Sequence, residues 1–287
     1  IRWIPNIFLS QEEVDAFKSE STENDETETV NTSLIRIAPA AESGTETADD
    51  GVELIAITRG TAKGKLLIVR DPSRVILGVS SEEFNAKTPG LQLTELVAKY
   101  GGVAGTNAGG FNDENGRGNG GVPQGLVISG GALLHTAREG ERYNVVGFDA
   151  DHILHVGTMT ADEALAQGLT DAVSFRTHDG LASSLIINGE VQSKNLGGGV
   201  NPRTAIGQCA DGSVLLLVLD GRSINTLGAT MQDVADIMLE YGAVNAGNLD
   251  GGSSSVMVYD GEIINNCASV TGPRNIPTAF IVLPEGD

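Results

Sequence analysis

The chain has 287 residues, of which 38 are glycine and only two are cysteine. The 18 Lys and Arg residues stand against 38 Asp and Glu residues, which gives a net charge of −20. This balance argues against a nucleic-acid binder and against adhesion to anionic lipid, because both require a basic face. No run approaches 18 consecutive apolar residues, so we predict no direct membrane contact by this chain.

The composition changes near residue 50. Residues 1–50 are acidic and rich in Ser and Thr, and such a segment buries too little apolar area to offset the entropy of ordering. We predict an acidic, partly disordered spacer over 1–50 and a single catalytic domain over 51–287. A solvated edge of the domain is the other interpretation of 1–50. Because the sequence begins with Ile1 rather than Met, we expect a preceding segment that tethers the protein to a membrane.

From residue 51 onward, short apolar runs alternate with turns rich in Gly, Asn and Asp. The pattern predicts strands over 52–58, 64–70, 75–79, 102–106, 124–129, 132–135, 185–188, 190–192, 214–219, 256–259, 262–265 and 278–283. It predicts helices over 91–100, from the capping box at Thr160 to Gly168, and over 231–241. Since strands outnumber helices, we predict an α+β fold with a mixed, largely antiparallel sheet and a few packed helices.

Three polar clusters adjoin predicted strands and point to a ligand site. They are Asn248-Leu-Asp-Gly-Gly-Ser253, Leu219-Asp-Gly-Arg222 and Asn201-Pro-Arg-Thr204, and Arg274 lies before the last strand. Glycine beside a carboxylate lets a ligand approach the main chain closely, and arginine offers paired donors to a planar anion. A single Asp-Gly pair is ordinarily a turn, but the whole set predicts a site for phosphate or carboxylate.

Other candidate sites are weaker. The segment 112–115 resembles a calcium loop in composition only, so we expect no cofactor and leave open a structural cation near Asp113. The four histidines lack the spacing of a zinc site, and no metal is predicted. His178 stands beside charged residues and is either a solvated loop residue or a substrate contact. Cys209 and Cys267 form either one disulfide or two thiols.

The clusters and their order resemble the phosphodiester glycosidase family. The matching motifs span about residues 100–287 and are Asn107-Ala-Gly-Gly-Phe111, Val122-Pro-Gln-Gly125, Asn201-Pro-Arg-Thr-Ala-Ile-Gly207, Leu219-Asp-Gly-Arg222, Gly242 through Asn248-Leu-Asp-Gly-Gly-Ser-Ser254, and Arg274. One departure is Gly110, where the family usually has a second aromatic residue. Residues 1–50 have no counterpart in the family.

The resemblance implies a hydrolase that cleaves the glycosidic C–O bond of a sugar-1-phosphodiester. Asp250 or Asp220 would act at the sugar carbon, and Arg203 and Arg274 would hold the phosphate. The remaining expected contacts to the sugar and the phosphate are Asn107, Thr204, Asn248, Gly251, Gly252, Ser253 and His178. The expected substrate is a carbohydrate phosphodiester of an extracellular or cell-surface glycan.

Two other functions fit the same residues. The chain would be a non-catalytic binder of polysaccharide or peptidoglycan if the cleft binds without turnover. It would be a metal-dependent phosphodiesterase if the aspartates were metal ligands and the P–O bond broke. An acidic spacer before a glycan-acting domain leads us to expect an extracytoplasmic protein at a bacterial cell surface.

Overall fold

The computed structural model describes residues 29–37, 51–113, 118–175, 184–192, 196–222, 226–269 and 272–286. These residues form seventeen strands, three α-helices and three 3₁₀ helices. The strands are β1 (Val52–Arg59), β2 (Ala62–Val69), β3 (Val75–Val79), β4 (Ala104–Asn107), β5 (Leu126–Ser129), β6 (Ala132–Thr136), β7 (Tyr143–Asp149), β8 (Leu154–Met159), β9 (Leu169–Ser174), β10 (Ser184–Ile187), β11 (Glu190–Val191), β12 (Arg203–Cys209), β13 (Val214–Leu219), β14 (Ala243–Asn248), β15 (Met257–Tyr259), β16 (Glu262–Ile263) and β17 (Thr278–Val282). The helices are α1 (Leu93–Lys99), α2 (Ala161–Ala166) and α3 (Met231–Glu240), and the 3₁₀ turns are Thr32–Leu34, Pro72–Arg74 and Gly252–Ser254.

The strands form three sheets. One has seven strands in the order β1-β2-β13-β12-β14-β10-β11, and the other two have five strands each, β16-β15-β4-β17-β3 and β6-β5-β9-β7-β8. Every strand pairing within the described ranges is antiparallel. No helix in this part of the chain is long and apolar enough to cross a membrane.

The prediction of an α+β fold with a mixed sheet overstated the helices. In the described part of the chain the three α-helices are short, with seven, six and ten residues, and antiparallel sheets dominate. The physical reason for the low helix content is that strands which follow one another in the chain are often joined by turns rather than by helices. Several pairs of adjacent strands are consecutive in the chain and are joined by tight turns, as at Gly130 and Gly131, which both have positive φ and link β5 to β6.

Strand β13 lies between two apolar cores. All six of its residues are buried, and alternate side chains point to opposite faces. Val214, Leu216 and Val218 face the core that the seven-stranded sheet shares with the two smaller sheets. Leu215, Leu217 and Leu219 pack on the other face, against helix α3. The apolar run predicted as a central strand is therefore covered on both sides.

Helix α3 closes that second face. The Thr230 hydroxyl caps its first turn by accepting a hydrogen bond from the N–H of Asp233 at 3.1 Å, and the Asp233 carboxylate accepts one from the N–H of Thr230 at 2.9 Å. Val234, Ile237 and Met238 are buried against the sheet. The predicted capping box at Thr160 is likewise present at the start of α2.

Part of the segment predicted as a spacer lies on the domain. Ile35 is buried, and the N–H of Arg36 donates to the carbonyl of Ala210 at 2.8 Å. The N–H of Asn31 donates to Oδ1 of Asn188 at 2.7 Å. Residues 29–37 therefore pack against the β10–β11 turn and the β12–β13 turn, and the other residues of 1–50 lie outside the described part.

Candidate active site

Asp250 follows strand β14 and Leu249, and it carries the most perturbed carboxyl group of the site. Its N–H donates to the carbonyl of Ala108 at 3.0 Å, and its carboxylate accepts hydrogen bonds from the Ser254 hydroxyl and the Gly251 N–H. Desolvation raises the pKa of Asp250 to about 7, against the opposing effects of these bonds and of the Arg274 charge. The residue as a whole is only half-buried, so a ligand can reach it.

Asn107 holds the Asp250 loop from below. Its Nδ2 donates to the main-chain carbonyl of Asp250 at 2.6 Å. Its Oδ1 accepts from the Thr204 hydroxyl at 2.9 Å and from the N–H of Val256 at 3.1 Å. Asn107 and Thr204 are both buried; in this structure Thr204 bonds to the Asn107 side chain, and Asn107 bonds to the main chain of Asp250 and Val256. Their predicted contacts with substrate stay a prediction.

Arg274 forms the cationic part of the site. It binds both carboxylate oxygens of Asp113, at 2.8 and 3.0 Å, and it also donates to Ser253 Oγ at 3.2 Å and to the Gly118 carbonyl at 2.9 Å. Its guanidinium lies 5.1 Å from the centre of the Phe111 ring. The hydrogen bond to Arg274 lowers the pKa of Asp113, and the same bond raises the pKa of Arg274. Asp113 is thus held ionised, whereas Asp250 gains or loses its charge near pH 7.

The loop that bears Asp250 requires two glycines for different reasons. Gly252 has a φ of +64°, which favours a residue without a Cβ. A Cβ on Gly251 would lie 2.9 Å from the carbonyl oxygen of Pro202. The N–H of Gly252 donates to that carbonyl at 3.1 Å, so the loop is fastened to the start of β12.

Asn248 ends strand β14 directly below this loop. Its Nδ2 donates to the carbonyl of Leu249 at 2.9 Å. Its Oδ1 is buried and has no hydrogen-bond partner among the described residues. Burying a hydrogen-bond acceptor without a donor lowers the stability of the protein. This oxygen is therefore a candidate acceptor for a hydrogen bond from water or from a ligand.

Asp220 holds a neighbouring loop. It is buried at the end of β13, and it accepts hydrogen bonds from both the N–H and the Nδ2 of Asn266, at 3.0 and 3.1 Å. The next residue, Cys267, places its Sγ 3.8 Å from the carbonyl of Ser253. Asp220 therefore supports the wall beside Ser253, and between the two predicted catalytic aspartates these contacts favour Asp250. Cys209 and Cys267 are both free thiols.

Arg203 is buried, and its guanidinium contacts main-chain carbonyls. Nη2 donates to Gly199 at 2.7 Å and to Gly198 at 2.5 Å, and Nε donates to Ala229 at 3.2 Å. Both glycines have positive φ. Arg203 thus fastens the loop before β12 to the segment before α3. Its predicted role as a phosphate ligand stays a prediction.

The structure brings together Asp250, Arg274, Ser253 and Gly251 from the predicted set and adds Asp113 and Phe111. His178 lies outside the described residues. Within the described ranges, no three His, Cys, Asp or Glu side chains form a group that could hold a metal ion. The Asp113 carboxylate, near which a structural cation was left open, is engaged by Arg274. Asp113 lies two residues after Phe111, which ends the motif Asn107-Ala-Gly-Gly-Phe111. Its position directly after that motif was the sequence signal that could have identified it.

Comparison with known protein families gives one match over most of this region. The sequence model of the phosphodiester glycosidase family matches residues 100–283, which is more than half of the chain. The chain also matches 87 residues of the SPbeta prophage-derived uncharacterized protein YomE of Bacillus subtilis at 38% identity. That match covers 30% of this chain and 14% of the relative, so the chain spans only a small part of the relative's length.

The fold is shared with solved structures of other proteins. The catalytic domain of zebrafish N-acetylglucosamine-1-phosphodiester α-N-acetylglucosaminidase, auto-inhibited by its pro-peptide, is similar with a TM-score of 0.66 and 20% identity, over 91% of this chain and 88% of that one. A putative exported protein of Burkholderia pseudomallei is similar with a TM-score of 0.55 and 17% identity, over 78% of this chain and 75% of that one. At these identities the likeness extends to the fold alone.

Proposed function

Because the chain belongs to the phosphodiester glycosidase family, we propose that it hydrolyses the glycosidic C–O bond of a sugar-1-phosphodiester. The observation that carries the proposal is that Asp250, whose pKa is raised to about 7, lies close enough to Arg274 for the guanidinium charge to act on its carboxyl group. A carboxyl group with a pKa near neutrality is suited to proton transfer, and a guanidinium is suited to phosphate.

Asp250 acts as the general base in this proposal. Water attacks the anomeric carbon, its proton passes to Asp250, and the bond from that carbon to the phosphate oxygen breaks with its electron pair on the phosphate. The products are a free sugar and a phosphomonoester. Since a phosphomonoester leaves readily, the second carboxylic acid of ordinary glycosidases is less necessary.

Arg274 stabilises the departing phosphate. In this structure its two terminal nitrogens are bound to the Asp113 carboxylate, which is an anion of similar geometry. A phosphate group that replaces that carboxylate meets the same pair of donors. Asp113 therefore keeps Arg274 oriented until the substrate arrives.

Hydrolysis of methyl phosphodiesters of common hexoses in ¹⁸O-water tests the reaction. Label in the sugar is the expected result, because the C–O bond breaks. Label in the phosphate would show P–O cleavage, as in a metal-dependent phosphodiesterase, and binding without label would show a carbohydrate binder. Release of the inverted anomer, followed by NMR, is expected for a general base, and a retained anomer would make Asp250 a nucleophile instead.

The matched variants are Asp250→Asn and Asp260→Asn. Asp260 is an exposed turn residue with a φ of +50°, a conformation that asparagine also tolerates. We expect Asp250→Asn to lose turnover and Asp260→Asn to keep it. Full activity of Asp250→Asn would remove the general base from the mechanism.

We further propose that the substrate is a carbohydrate phosphodiester outside the cytoplasm. The acidic, Ser- and Thr-rich segment before the domain and the likeness of the fold to that of a putative exported protein support this location. Recovery of the full-length protein from the cytosolic fraction alone would contradict it.

A further inference from the structure

Strand β1 forms one edge of the seven-stranded sheet. It has eight residues, pairs only with β2 in the described part of the chain, and keeps that pairing without a register shift. Leu54, Ala56 and Thr58 on this strand are exposed. Proline, lysine and bulges commonly protect a sheet edge from further pairing, and β1 contains none of them.

The hydrogen bonds of the β1–β2 hairpin show which main-chain groups point outward. The N–H of Arg70 donates to the carbonyl of Gly51 at 3.0 Å, which continues the β1–β2 register. Hydrogen-bonded pairs alternate with other pairs in an antiparallel ladder, so the odd-numbered residues of β1 bond to β2. The N–H and carbonyl groups of Leu54, Ala56 and Thr58 therefore point away from the sheet, and no group within the described ranges bonds to them.

The other sheet edges are short, interrupted or covered. Strands β11 and β16 have two residues each, and β6 is interrupted by a register shift against β5. On β3 the N–H of Leu77 donates to Asp171 at 3.2 Å. On β8 the N–H of Leu154 donates to Gln208 at 2.7 Å, and the carbonyl of Leu154 accepts from Asn245 at 3.2 Å. Among the edges of the described sheets, β1 is thus the long one on which three outward-facing residues have no partner.

The sequence of β1 matches itself in the antiparallel direction. With Ala56 of one copy opposite Ala56 of a second copy, the remaining cross-strand pairs are Leu54 with Thr58, Ile55 with Ile57 and Glu53 with Arg59. This register places outward-pointing residues opposite one another, as an antiparallel ladder requires, and sets opposite charges across both ends. The resulting interface has two-fold symmetry.

The charges near β1 also fit a second copy. Residues 51–70 contain four basic residues and one acidic residue, so this hairpin carries a net charge of +3 in a chain of net charge −20. Helix α3 turns an acidic side toward the same edge, where Arg59 binds Asp236 at 2.6 Å and Glu240 at 3.4 Å. In the antiparallel pair this end meets the end of the second copy that bears the exposed Arg70. The basic hairpin of each copy thus lies beside the acidic side of the other copy's α3.

We propose that β1 is a dimerisation edge, on which a second copy of this chain pairs antiparallel to form one continuous sheet across a two-fold axis. The added strand supplies main-chain hydrogen bonds to the outward-facing groups. Because β2 and β13 separate β1 from β12, the candidate active site stays open in the dimer. The dimer does not depend on the proposed function.

Sedimentation of the full chain over a range of concentrations tests the dimer, with Ala56→Lys and Ala132→Lys as matched variants. Ala56 is exposed, so a single copy accommodates a lysine there, but in the dimer two lysines stand opposite each other at the axis and repel. Ala132 is exposed at the start of another edge strand, β6. We expect wild type and Ala132→Lys to dimerise alike and Ala56→Lys to dimerise at least about tenfold more weakly. A monomeric wild type, or a dimer that Ala56→Lys leaves intact, would overturn the proposal.

Hydrogen exchange of the wild-type protein gives a readout that needs no variant. The amides of Leu54, Ala56 and Thr58 should exchange slowly at high protein concentration and rapidly after dilution. The amide of Ile55, which faces β2, should exchange slowly at both concentrations and serves as the control. Rapid exchange of the three amides at every concentration would contradict the proposal. Slow exchange in a monomeric protein would also contradict it, because another part of the same chain would then occupy the edge.

Discussion

The carboxylate of Asp113 binds the guanidinium of Arg274 through both of its oxygens, at 2.8 Å to Nη2 and 3.0 Å to Nη1. With Ser253 and the Gly118 carbonyl, it occupies four of the five N–H groups of the guanidinium. The arginine is therefore oriented in advance, but an incoming phosphate must compete with Asp113 for the same donors.

This competition predicts that Asp113→Asn binds a phosphomonoester more tightly. The amide removes the competing charge and keeps the shape, so inhibition by inorganic phosphate should strengthen about tenfold, which corresponds to about 1.4 kcal/mol. Inhibition constants at constant pH and ionic strength measure the effect. Weaker inhibition would mean that Asp113 only orients Arg274.

The two arginines of the predicted phosphate site should behave differently. Arg274→Ala removes a charge-assisted contact to the phosphate, at a cost on the order of 2–4 kcal/mol of transition-state stabilisation, or roughly 30- to 1,000-fold in kcat/KM. A neutral aryl glycoside of the same sugar should be affected much less, because it has no phosphate. Assays of both substrates with one variant make the comparison.

Arg203→Ala should lower both activities together, because Arg203 fastens main chain at Gly198, Gly199 and Ala229. Loss of hydrogen bonds from a buried charged group costs about 1.5–3 kcal/mol, so the melting temperature should fall by several degrees. Arg70→Ala, at an exposed arginine 3.7 Å from Glu53, is the control. A selective loss of phosphodiester activity with unchanged stability would instead support the prediction that Arg203 is a phosphate ligand.

The pH dependence follows from Asp250. A general base must be ionised, so kcat/KM should fall about tenfold per pH unit below pH 7. The positive charge of Arg274 favours the ionised form, and its removal in Arg274→Gln should move this limb to higher pH. Residual activity of the variant, measured from pH 5 to 9, gives the shift. A limb that moves to lower pH would assign the titration to another group.

Asp250 should also limit the stability of the protein. Its pKa is raised from 3.8 to about 7 on folding, so its contribution to stability is full below about pH 4 and is lost as the pH rises through 7. Asp250→Asn carries no charge at any pH. Its melting temperature relative to wild type should therefore be higher at pH 8 than at pH 5, by at least about 4 °C. Asp260→Asn should show no such difference between the two pH values.

Truncation tests whether residues 29–37 of the acidic N-terminal segment stabilise the domain while the residues before them do not. A chain that begins at Thr29 keeps the contacts of Ile35 and Arg36 with the domain, whereas a chain that begins at Gly51 loses them. Burial of an isoleucine side chain stabilises a protein by about 1.5–3 kcal/mol. We expect the shorter chain to melt several degrees lower and the longer one to match wild type. Equal melting temperatures would show that residues 29–37 add no stability.

Strands were predictable where the pattern was simple. The run Val214–Leu219 and the hairpin turned by Gly130 and Gly131 were predicted almost to the residue. Strands β7, β8 and β9 were not predicted. Their core-facing residues are interrupted, as by Gly147, where a Cβ would lie 2.3 Å from Ala172 of the neighbouring strand. Such a glycine is required by a close approach between strands that periodicity does not reveal.

The site was predictable in its motifs but not in the direction of its side chains. Asp250 and Arg274 were both predicted, because glycine-flanked aspartates and isolated arginines indicate a ligand site in an acidic chain. The contacts of Asn107 with three separate segments depend on how β4, β12 and the Asp250 loop meet in space. Sequence spacing gives no information on such contacts, and the pairing of Asp113 with Arg274 was missed for the same reason.

The three hydrogen bonds of Asn107 link the assembly of the sheets to the chemistry. Asn107 belongs to a five-stranded sheet, Thr204 belongs to the seven-stranded sheet, and the Asp250 loop extends from the seven-stranded sheet. A partly folded chain in which the two sheets have separated no longer fixes Asp250 next to Arg274. Turnover should therefore disappear before secondary structure does during gradual denaturation, which would make enzyme activity a more sensitive probe of native tertiary structure than circular dichroism.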